Sequence, residues 1–469
     1  MYKSIISLII IAITINNLKA QTIVSGEQSG IWTAENSPYI VEDTITVPNG
    51  QILEIQPGVK IIFQGHYKFY INGTLKALGE EGDSIIFTAQ DTSQGWYGIH
   101  IKYNNNLSIF KYCRFEYGIT TAGSYPDQHG GAIVLINSDA IFEHCVFENN
   151  KAFGDDNGMG GAIYCLNTEN SRFSNCIFRN NSAYGEGGAI KFSGDNGSEI
   201  DSCIFINNSV FYGGGAICLY GCYGTRFFRD LFYNNKTIYS AGGAALIEEY
   251  SSQISFVNCT IYDNKAQNGD GGGINITFSD ANFTNSIIYN NPGLYSNDIH
   301  LDYGNAEINY CDVLPPDEAT GENNIYVNPL FTDPQNENFT LSENSLCIDK
   351  GIDTLTITDA SNNEITVIEL DSSQYYGNMP DIGCFEFIPT PTYSQQITYI
   401  SVKNLHNLLI IKNANGYNAT LYNLYAQIIY KKNICENYQT MDVSNLPQGV
   451  YLLYLSKGKY FHTYKFIKQ

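Results

Sequence analysis

The chain has 469 residues and a formal net charge of −22, with 15% charged and 13% aromatic residues. That composition excludes a disordered chain, and the acidity disfavours nucleic acid and anionic membrane surfaces as partners. The charge is uneven: from Ile397 onward eight lysines face only Glu436 and Asp442, so the terminal segment is basic and the remainder more acidic than the whole.

In chain order, Met1-Tyr2-Lys3 gives a positive start, Ile5 to Ile15 is almost wholly apolar, and Leu18-Lys19-Ala20 precedes Gln21. This pattern predicts a secretory signal peptide over residues 1–20, cut after Ala20. The apolar run is too short for a comfortable membrane span, and no later segment is a transmembrane candidate. Residues 21–109 carry short strand patterns, such as Val59-Lys60-Ile61-Ile62-Phe63 and Ile85-Ile86-Phe87, without a repeat consensus. They are expected to cap the N-terminal end of the repeats, because an open sheet end exposes unpaired backbone groups.

Residues 110–313 are one unit written repeatedly. Gly-Gly-Ala-Ile stands at Gly130, Gly160, Gly187 and Gly214, and decays at Gly242 and Gly271. Its partner signature is Cys145-Val146-Phe147-Glu148-Asn149-Asn150, repeated from Cys176, Cys203 and Cys259. Two columns with nearly the same 27 to 30 residue period indicate a repeat architecture. Within each unit Ile190 and Phe192 flank Lys191, which is the period-two alternation of a strand with one buried face. Short strands without a crossover helix predict one coil of a solenoid. Stacking then places Phe147, Phe178, Phe205 and Phe232 in one inner column, about 4.8 Å per rung. The asparagines are expected to stack at the coil corners.

The paired Gly-Gly-Ala-Ile and Phe-x-x-Asn signatures resemble right-handed parallel β-helix proteins, among them the chlamydial polymorphic outer membrane proteins. The resemblance implies the fold for about 200 residues. It does not choose a function, since lyases, hydrolases, adhesins and passive stalks all use this architecture. Residues 314–388, ending in Pro380-Asp381-Ile382-Gly383-Cys384-Phe385-Glu386, are expected to close the β-helix, and Pro389-Thr390-Pro391-Thr392 begins a linker over 389–396. Residues 397–469 hold five short strand patterns, which suggest a β-sandwich. Asp442 to Tyr451, with Leu446-Pro447-Gln448-Gly449-Val450-Tyr451, and the terminal Lys465-Phe466-Ile467-Lys468 resemble the C-terminal sorting domain of type IX secretion cargo. Gly449, Val450, Tyr451, Lys465, Phe466 and Lys468 carry that match. The chain departs from the family at Ala426, where a glycine is usual. The resemblance implies handling by the type IX secretion machinery of a Gram-negative bacterium, and release or anchoring at the outer cell surface. The fold class expected is therefore all-β: a right-handed parallel β-helix followed by a small β-sandwich, in a monomer.

There are twelve cysteines. Six of them, from Cys113 to Cys311, hold one repeat position, and stacked side chains pointing the same way suit disulfide geometry poorly. They are expected to be buried thiols acting as small apolar residues, whereas Cys347 and Cys384 are open to either a disulfide or free thiols. Asp230 replaces cysteine in its repeat. A carboxylate facing inward is costly, so the strand is bulged there, or Asp230 is neutral or paired, or it serves a ligand. Asp127 and His129 share one edge and form a candidate acid–base pair. Asp155, Asp156 and Glu186 from neighbouring coils are candidates for oxygen ligation of Ca²⁺. Tyr112, Tyr117, Tyr125, Tyr164, Tyr184, Phe211, Tyr212, Tyr220, Tyr223 and Tyr239 are expected at turns or on outward faces. There they either stack on sugars or pack loops onto the coil, with Tyr184, Tyr212 and Tyr220 the leading ligand-binding candidates. Polygalacturonase strings, phosphate-binding loops and metalloprotease or serine-hydrolase motifs are missing from the sequence. Three functions stay open: a glycan-binding or adhesive surface protein, a polysaccharide lyase or hydrolase with a site along the Asp127–Asp270 edge, and a structural surface component. Convergence of two or three acids and a base on one face separates the enzyme from the others.

Overall fold

The structure, a computed structural model, describes residues 21–389 except 122, 124, 155, 156 and 359–363, and residues 401–468 except 406, 407, 413, 424–426, 437, 458 and 459. The segment read as a signal peptide, most of the linker, Asp155, Asp156 and Ala426 lie outside the described residues. The chain divides into a unit ending at Ile388 and one beginning at Pro389.

The first unit is a right-handed parallel β-solenoid of about 10 turns. One coil shows the design. Ile190–Ser193 runs along one face, Glu199–Asp201 along a second, Ile204–Ile206 along a third, and the two-residue strand Ser209–Val210 leads into the next Gly-Gly. Each strand pairs in parallel with its counterpart one coil away, so Ile190 meets Ile163 and Ile217. The long strand Tyr39–Val47 belongs to two faces at once, pairing with Lys60–Phe63 through its first half and Phe69–Ile71 through its second. Trp32 stacks on Tyr39 at 4.4 Å in these opening coils.

The expected phenylalanine column is present. Phe115, Phe147, Phe178, Phe205 and Phe232 stack at 4.7 to 4.8 Å. A second column, Phe110, Phe142 and Phe173, then Phe227, Phe256 and Phe283, fills the adjacent face at 4.5 to 5.2 Å. These rings are fully buried, and each contributes roughly 2–3 kcal/mol by burial plus about 1 kcal/mol for each stacked neighbour.

The doubled residues divide their labour. Asn149, Asn180, Asn207 and Asn234 take the left-handed backbone of the corner, while Asn150, Asn181, Asn208, Asn235, Asn264 and Asn291 are buried and carry the hydrogen-bonded ladder. In the glycine pairs the first residue has positive φ, as in Gly214 at +69°, and the second lies against the next coil's backbone.

The cysteine column explains Asp230. The side chain at this position accepts the corner N–H of the preceding coil: Cys203 Sγ from Cys176 at 3.4 Å, Ser286 Oγ from Cys259 at 3.0 Å, and Asp230 Oδ1 from Cys203 at 2.7 Å. The strand is not bulged, since Leu231, Phe232 and Tyr233 keep register with both neighbours. Asp230 Oδ2 is buried without a partner, and burial pushes the carboxyl well above the ordinary range. Burial thus favours the neutral acid, in the hydrogen-bonding place that cysteine or serine takes in neighbouring coils. By contrast the buried Asp195 is held by hydroxyl donors from Thr168, Ser198 and Thr225 at 2.5 to 2.7 Å. Asp230→Ser copies Ser286 and is expected to stabilise the fold by about 1–3 kcal/mol at pH 7. A carboxyl whose pKa is raised by folding contributes fully below its unfolded value, about 3.9, and loses that contribution as the pH rises. The difference in urea midpoint between variant and wild type should thus shrink towards pH 4. A gap independent of pH would show that Asp230 is not the buried neutral acid described.

All twelve cysteines are free thiols. Cys347 and Cys384 do not bridge: the Cys347 thiol donates to Asp312 Oδ2 at 3.4 Å, and Cys384 packs with Leu231 and Phe339. The closing region does two jobs. Ile325 follows the last coil, its N–H donating to Cys311 O. The hairpin Phe331–Asp333 with Asn338–Leu341 instead folds back along the side, where Glu337 makes a double hydrogen bond with Arg179 at 2.8 and 2.9 Å. The hairpin Thr354–Thr358 with Glu364–Glu369 also lies along the side, with Val367 and Ile368 against Val257.

The second unit has a three-stranded and a four-stranded antiparallel sheet sharing Leu409, Ile411, Leu421, Leu453, Leu455 and Phe466 as core. Among the described residues no helix is long and apolar enough to cross a membrane.

Candidate functional site

The sheet containing Ile133–Ile136 and its successors presents one outward column: His100, Val134, Tyr164, Lys191, Cys218, Leu246 and Asn275, each beside the next. Alternation sends these side chains away from the coil interior. They are nevertheless buried, with Lys191 2% exposed, because loops and neighbouring side chains cover the column. Leu246 lies under the loop at Gly213, where an added Cβ would meet its side chain.

Lys191 is the centre of the site. Its Nζ lies 2.5 Å from Glu186 Oε2, 3.1 Å from Cys218 Sγ and 3.4 Å from Glu248 Oε1, with the Tyr220 ring 4.9 Å away. The repeat builds this convergence. Cys218 is the rung neighbour of Lys191, Tyr220 sits beside Glu248 in the next outward column, and Glu186 bridges to Gly213 immediately before its own glycine pair. Burial opposes the ammonium, but Cys218, Glu186 and Glu248 outweigh it and hold the Lys191 pKa above its ordinary value. Burial pushes the Cys218 thiol well up. It is therefore protonated at neutral pH, and the two carboxylates carry the attraction. Burial, followed by the charge of Glu186, raises the Glu248 carboxyl. Lys191 is thus a fixed cation rather than a base.

The oxygen and sulfur atoms of Glu186, Cys218 and Glu248 lie within 4.8 Å of one another. The Lys191 ammonium already occupies the space a cation would take. Two carboxylates, a thiol and an ammonium do not fit Ca²⁺, which takes six to eight oxygen ligands. Of the expected grouping, Glu186 pairs with Lys191, and Asp155 and Asp156 lie outside the described residues.

Asp127 and His129 do not form an acid–base pair. Asp127 bridges Lys68 and Lys102, the latter at 3.0 Å, and these lysines hold its carboxyl below the usual range although burial acts in the opposite sense. His129 Nδ1 accepts the Met159 N–H at 3.1 Å, and its ring stacks on Tyr164 at 4.4 Å. Burial, then the Lys191 charge, lowers His129 to about 4, so it is neutral. Two residues apart in sequence, they belong to different clusters.

The tyrosines separate into packing and exposed sets. Tyr164, expected outside, is 4% exposed. Tyr184, Phe211, Tyr212 and Tyr239 form one cluster with ring centroids 5.0 to 6.4 Å apart. Tyr212 and Tyr239 are 48% and 60% exposed, and Tyr220 above Lys191 is 45% exposed. Sequence reasoning missed Lys191, Cys218 and Glu248. The available signal was a lysine, a thiol and a leucine at one repeat position that elsewhere alternates freely.

In the second unit the residues that carry the terminal resemblance meet on one antiparallel pair: Gly449 faces Lys468, Val450 faces Ile467, Tyr451 faces Phe466 and Leu452 faces Lys465. Tyr451 and Phe466 stack at 5.3 Å, and the Tyr451 hydroxyl donates to Pro447 O at 2.9 Å.

A stacked parallel solenoid with glycine, asparagine and phenylalanine ladders, followed by a small two-sheet unit, defines a β-helix repeat protein. The family model for the right handed beta helix region matches residues 13–188 and 157–313, and the chain belongs to that family. Residues 389–469 match the secretion system C-terminal sorting domain. This is a type IX sorting domain, and the chain is exported to the cell surface or secreted. No curated protein matches it. Among solved structures, the chain is similar to a mutant of a periplasmic alginate epimerase at 12% identity and a TM-score of 0.32, over 65% of this chain and 69% of that one.

Proposed function

We propose that this is a glycan-binding, adhesive surface protein whose ligand site is the aromatic edge beside Lys191. The observation that carries the reading is the cluster of Tyr184, Phe211, Tyr212 and Tyr239, with two rings about half exposed on a rigid ladder. Such rings offer apolar surface and polar hydroxyls together, which suits pyranose faces. Glu186 and Glu248, partly exposed and pinned by Lys191, supply hydroxyl acceptors nearby. Polysaccharide is accordingly the partner, and the sorting domain delivers the site to it. In binding assays with the full chain, Tyr212→Ala/Tyr239→Ala is expected to weaken polysaccharide affinity by about tenfold or more. Unchanged affinity would remove the cluster from the ligand site.

A second reading is favoured by the convergence of Glu186, Glu248 and a cation within 3.4 Å on one face. It is a polysaccharide lyase or glycoside hydrolase with Glu248 as acid. In the same assays new reducing or unsaturated ends would appear and would fall about 10²–10⁴-fold in Glu248→Gln. Binding without product formation supports the adhesive reading.

A further inference from the structure

Beyond this edge, the turn that follows each strand of the same sheet is a left-handed corner. Its occupants change along the solenoid: Tyr103, Asn137, Asn167, Gly194 and Gly221, then Glu249 with Tyr250 directly after it, Phe278 and Tyr303, all with φ between 44° and 64°. Asparagine and glycine are what this backbone favours, and a bulky aromatic residue is strained there. The asparagines even gain an inter-coil bond, with Asn167 Nδ2 donating to Asn137 Oδ1 at 3.2 Å. Three successive coils nevertheless carry an aromatic residue in this turn, Tyr250 as the second left-handed residue after Glu249, Phe278 and Tyr303 as the first.

Packing does not offset that strain. Tyr250, Phe278 and Tyr303 are 78%, 48% and 81% exposed. Phe278 and Tyr303 lie parallel at 5.1 Å and 3°, and Tyr250 stands 6.5 Å from Phe278 at 44°. The largest ring surfaces, at the two ends of the row, face solvent. Exposed Glu249, Asp280 and Asp302 border the row. It begins two residues after Glu248, whose carboxylate contacts Lys191.

We propose that Tyr250, Phe278 and Tyr303 form a second glycan platform, one that takes a neutral polysaccharide chain. The rim selects the occupant. Carboxylates accept hydrogen bonds from sugar hydroxyls, whereas an apolar protein surface would leave them desolvated and unpaired. A polyuronate would meet like charge at the rim and across an acidic body. A second copy of this chain would bring its own acidic rim against the first. The row of three neighbouring exposed rings, rather than the corner conformation that Tyr103 shares, is what marks a surface held for an external partner.

This inference rests on the glycan-binding reading and is tested alongside it on the full chain. The probes are a soluble β-glucan, an α-glucan and a galactomannan, with a polyuronate as the anionic comparison. The test variant is Tyr250→Asn/Phe278→Asn/Tyr303→Asn, which installs the residue the protein itself uses at Asn137 and Asn167. Wild type is expected to bind at least one neutral glycan and to prefer it to the polyuronate. The triple variant should lose about tenfold or more in affinity, with a Tm equal to or above that of wild type because strain is relieved. Tyr103→Asn, on the same corner but six coils from Phe278, should bind as wild type does. A triple variant with a lowered Tm would show that the rings are structural, and one with unchanged affinity would show that the platform is not used. Either result overturns the proposal. If affinity is instead lost only in Tyr212→Ala/Tyr239→Ala, the glycan reading stands and this platform fails. If wild type binds only the polyuronate, the glycan reading stands and this platform fails; if it binds none of the probes, both fail.

Discussion

Gly215→Ala is expected to prevent stable stacking of the coils, with a loss of about 4 kcal/mol or more, seen as insoluble protein or a collapsed urea midpoint. A Cβ at Gly215 would lie 1.9 Å from the carbonyl oxygen of Gly243 and 2.6 Å from the backbone nitrogen of Lys236. Both obstacles are main chain, so no side-chain rotation relieves them. The coils would have to separate, and strand spacing is set by hydrogen bonding at about 4.8 Å. The same close approach recurs at Gly188, Gly243 and Gly272, with added Cβ atoms 1.9 to 2.2 Å from the next carbonyl. Gly224 provides the comparison. Its φ is +69°, but a Cβ there meets only Gly197 Cα at 4.0 Å. Gly224→Ala should therefore show the backbone cost alone, about 1 kcal/mol. Equal effects at 215 and 224 would mean that close approach is not what the second glycine of each pair provides.

Asn208→Ala is expected to cost roughly 3–5 kcal/mol by urea unfolding. Asn208 Nδ2 donates to Phe178 O and Asn235 Oδ1, each at 2.9 Å, and its Oδ1 accepts from Asn181 N and Asn181 Nδ2, each at 3.0 Å. All of this is buried, so truncation leaves a main-chain N–H and a carbonyl without partners, where no water replaces the lost group. Asn208→Asp should be no better, because a carboxylate cannot donate to Phe178 O and would face Asn235 Oδ1. The ladder's own end supports that asymmetry. Asp298 stands there and only accepts, from Asn291 N at 3.0 Å and Asn291 Nδ2 at 2.9 Å. Asp298→Asn should consequently be mild. A small effect of Asn208→Ala would indicate that the coils hold their register without the amide ladder.

Much of the β-helix was legible because it is periodic. When each coil lies on its copy, a position in the repeat is also a position in space. The columns of Phe147 to Phe232, of Cys145 to Cys203 and of Asn150 to Asn291 followed from spacing alone. So did burial of the cysteines as thiols, because one column cannot supply the crossed geometry of a disulfide. What the doublets do individually was less legible. Gly-Gly and Asn-Asn read as corners, but only the backbone shows that Gly214 and Asn207 supply the turn while Gly215 and Asn208 supply contact with the next coil.

The sequence by itself determined the solenoid, its inner columns and the terminal sorting domain, since these depend on repeated local pattern and on short runs such as Leu446 to Tyr451. Only the tertiary structure decided the outward face. Alternation assigns Lys191 and Tyr164 to solvent, yet both are buried. The partners of Lys191 come from 5, 27 and 57 residues away. The side-folded hairpins reach still farther, with Glu337 meeting Arg179 across 158 residues. Inward burial follows from the strand period, which every coil repeats. Outward burial follows from loops whose lengths and contacts do not repeat, so it is fixed only when the coils are stacked.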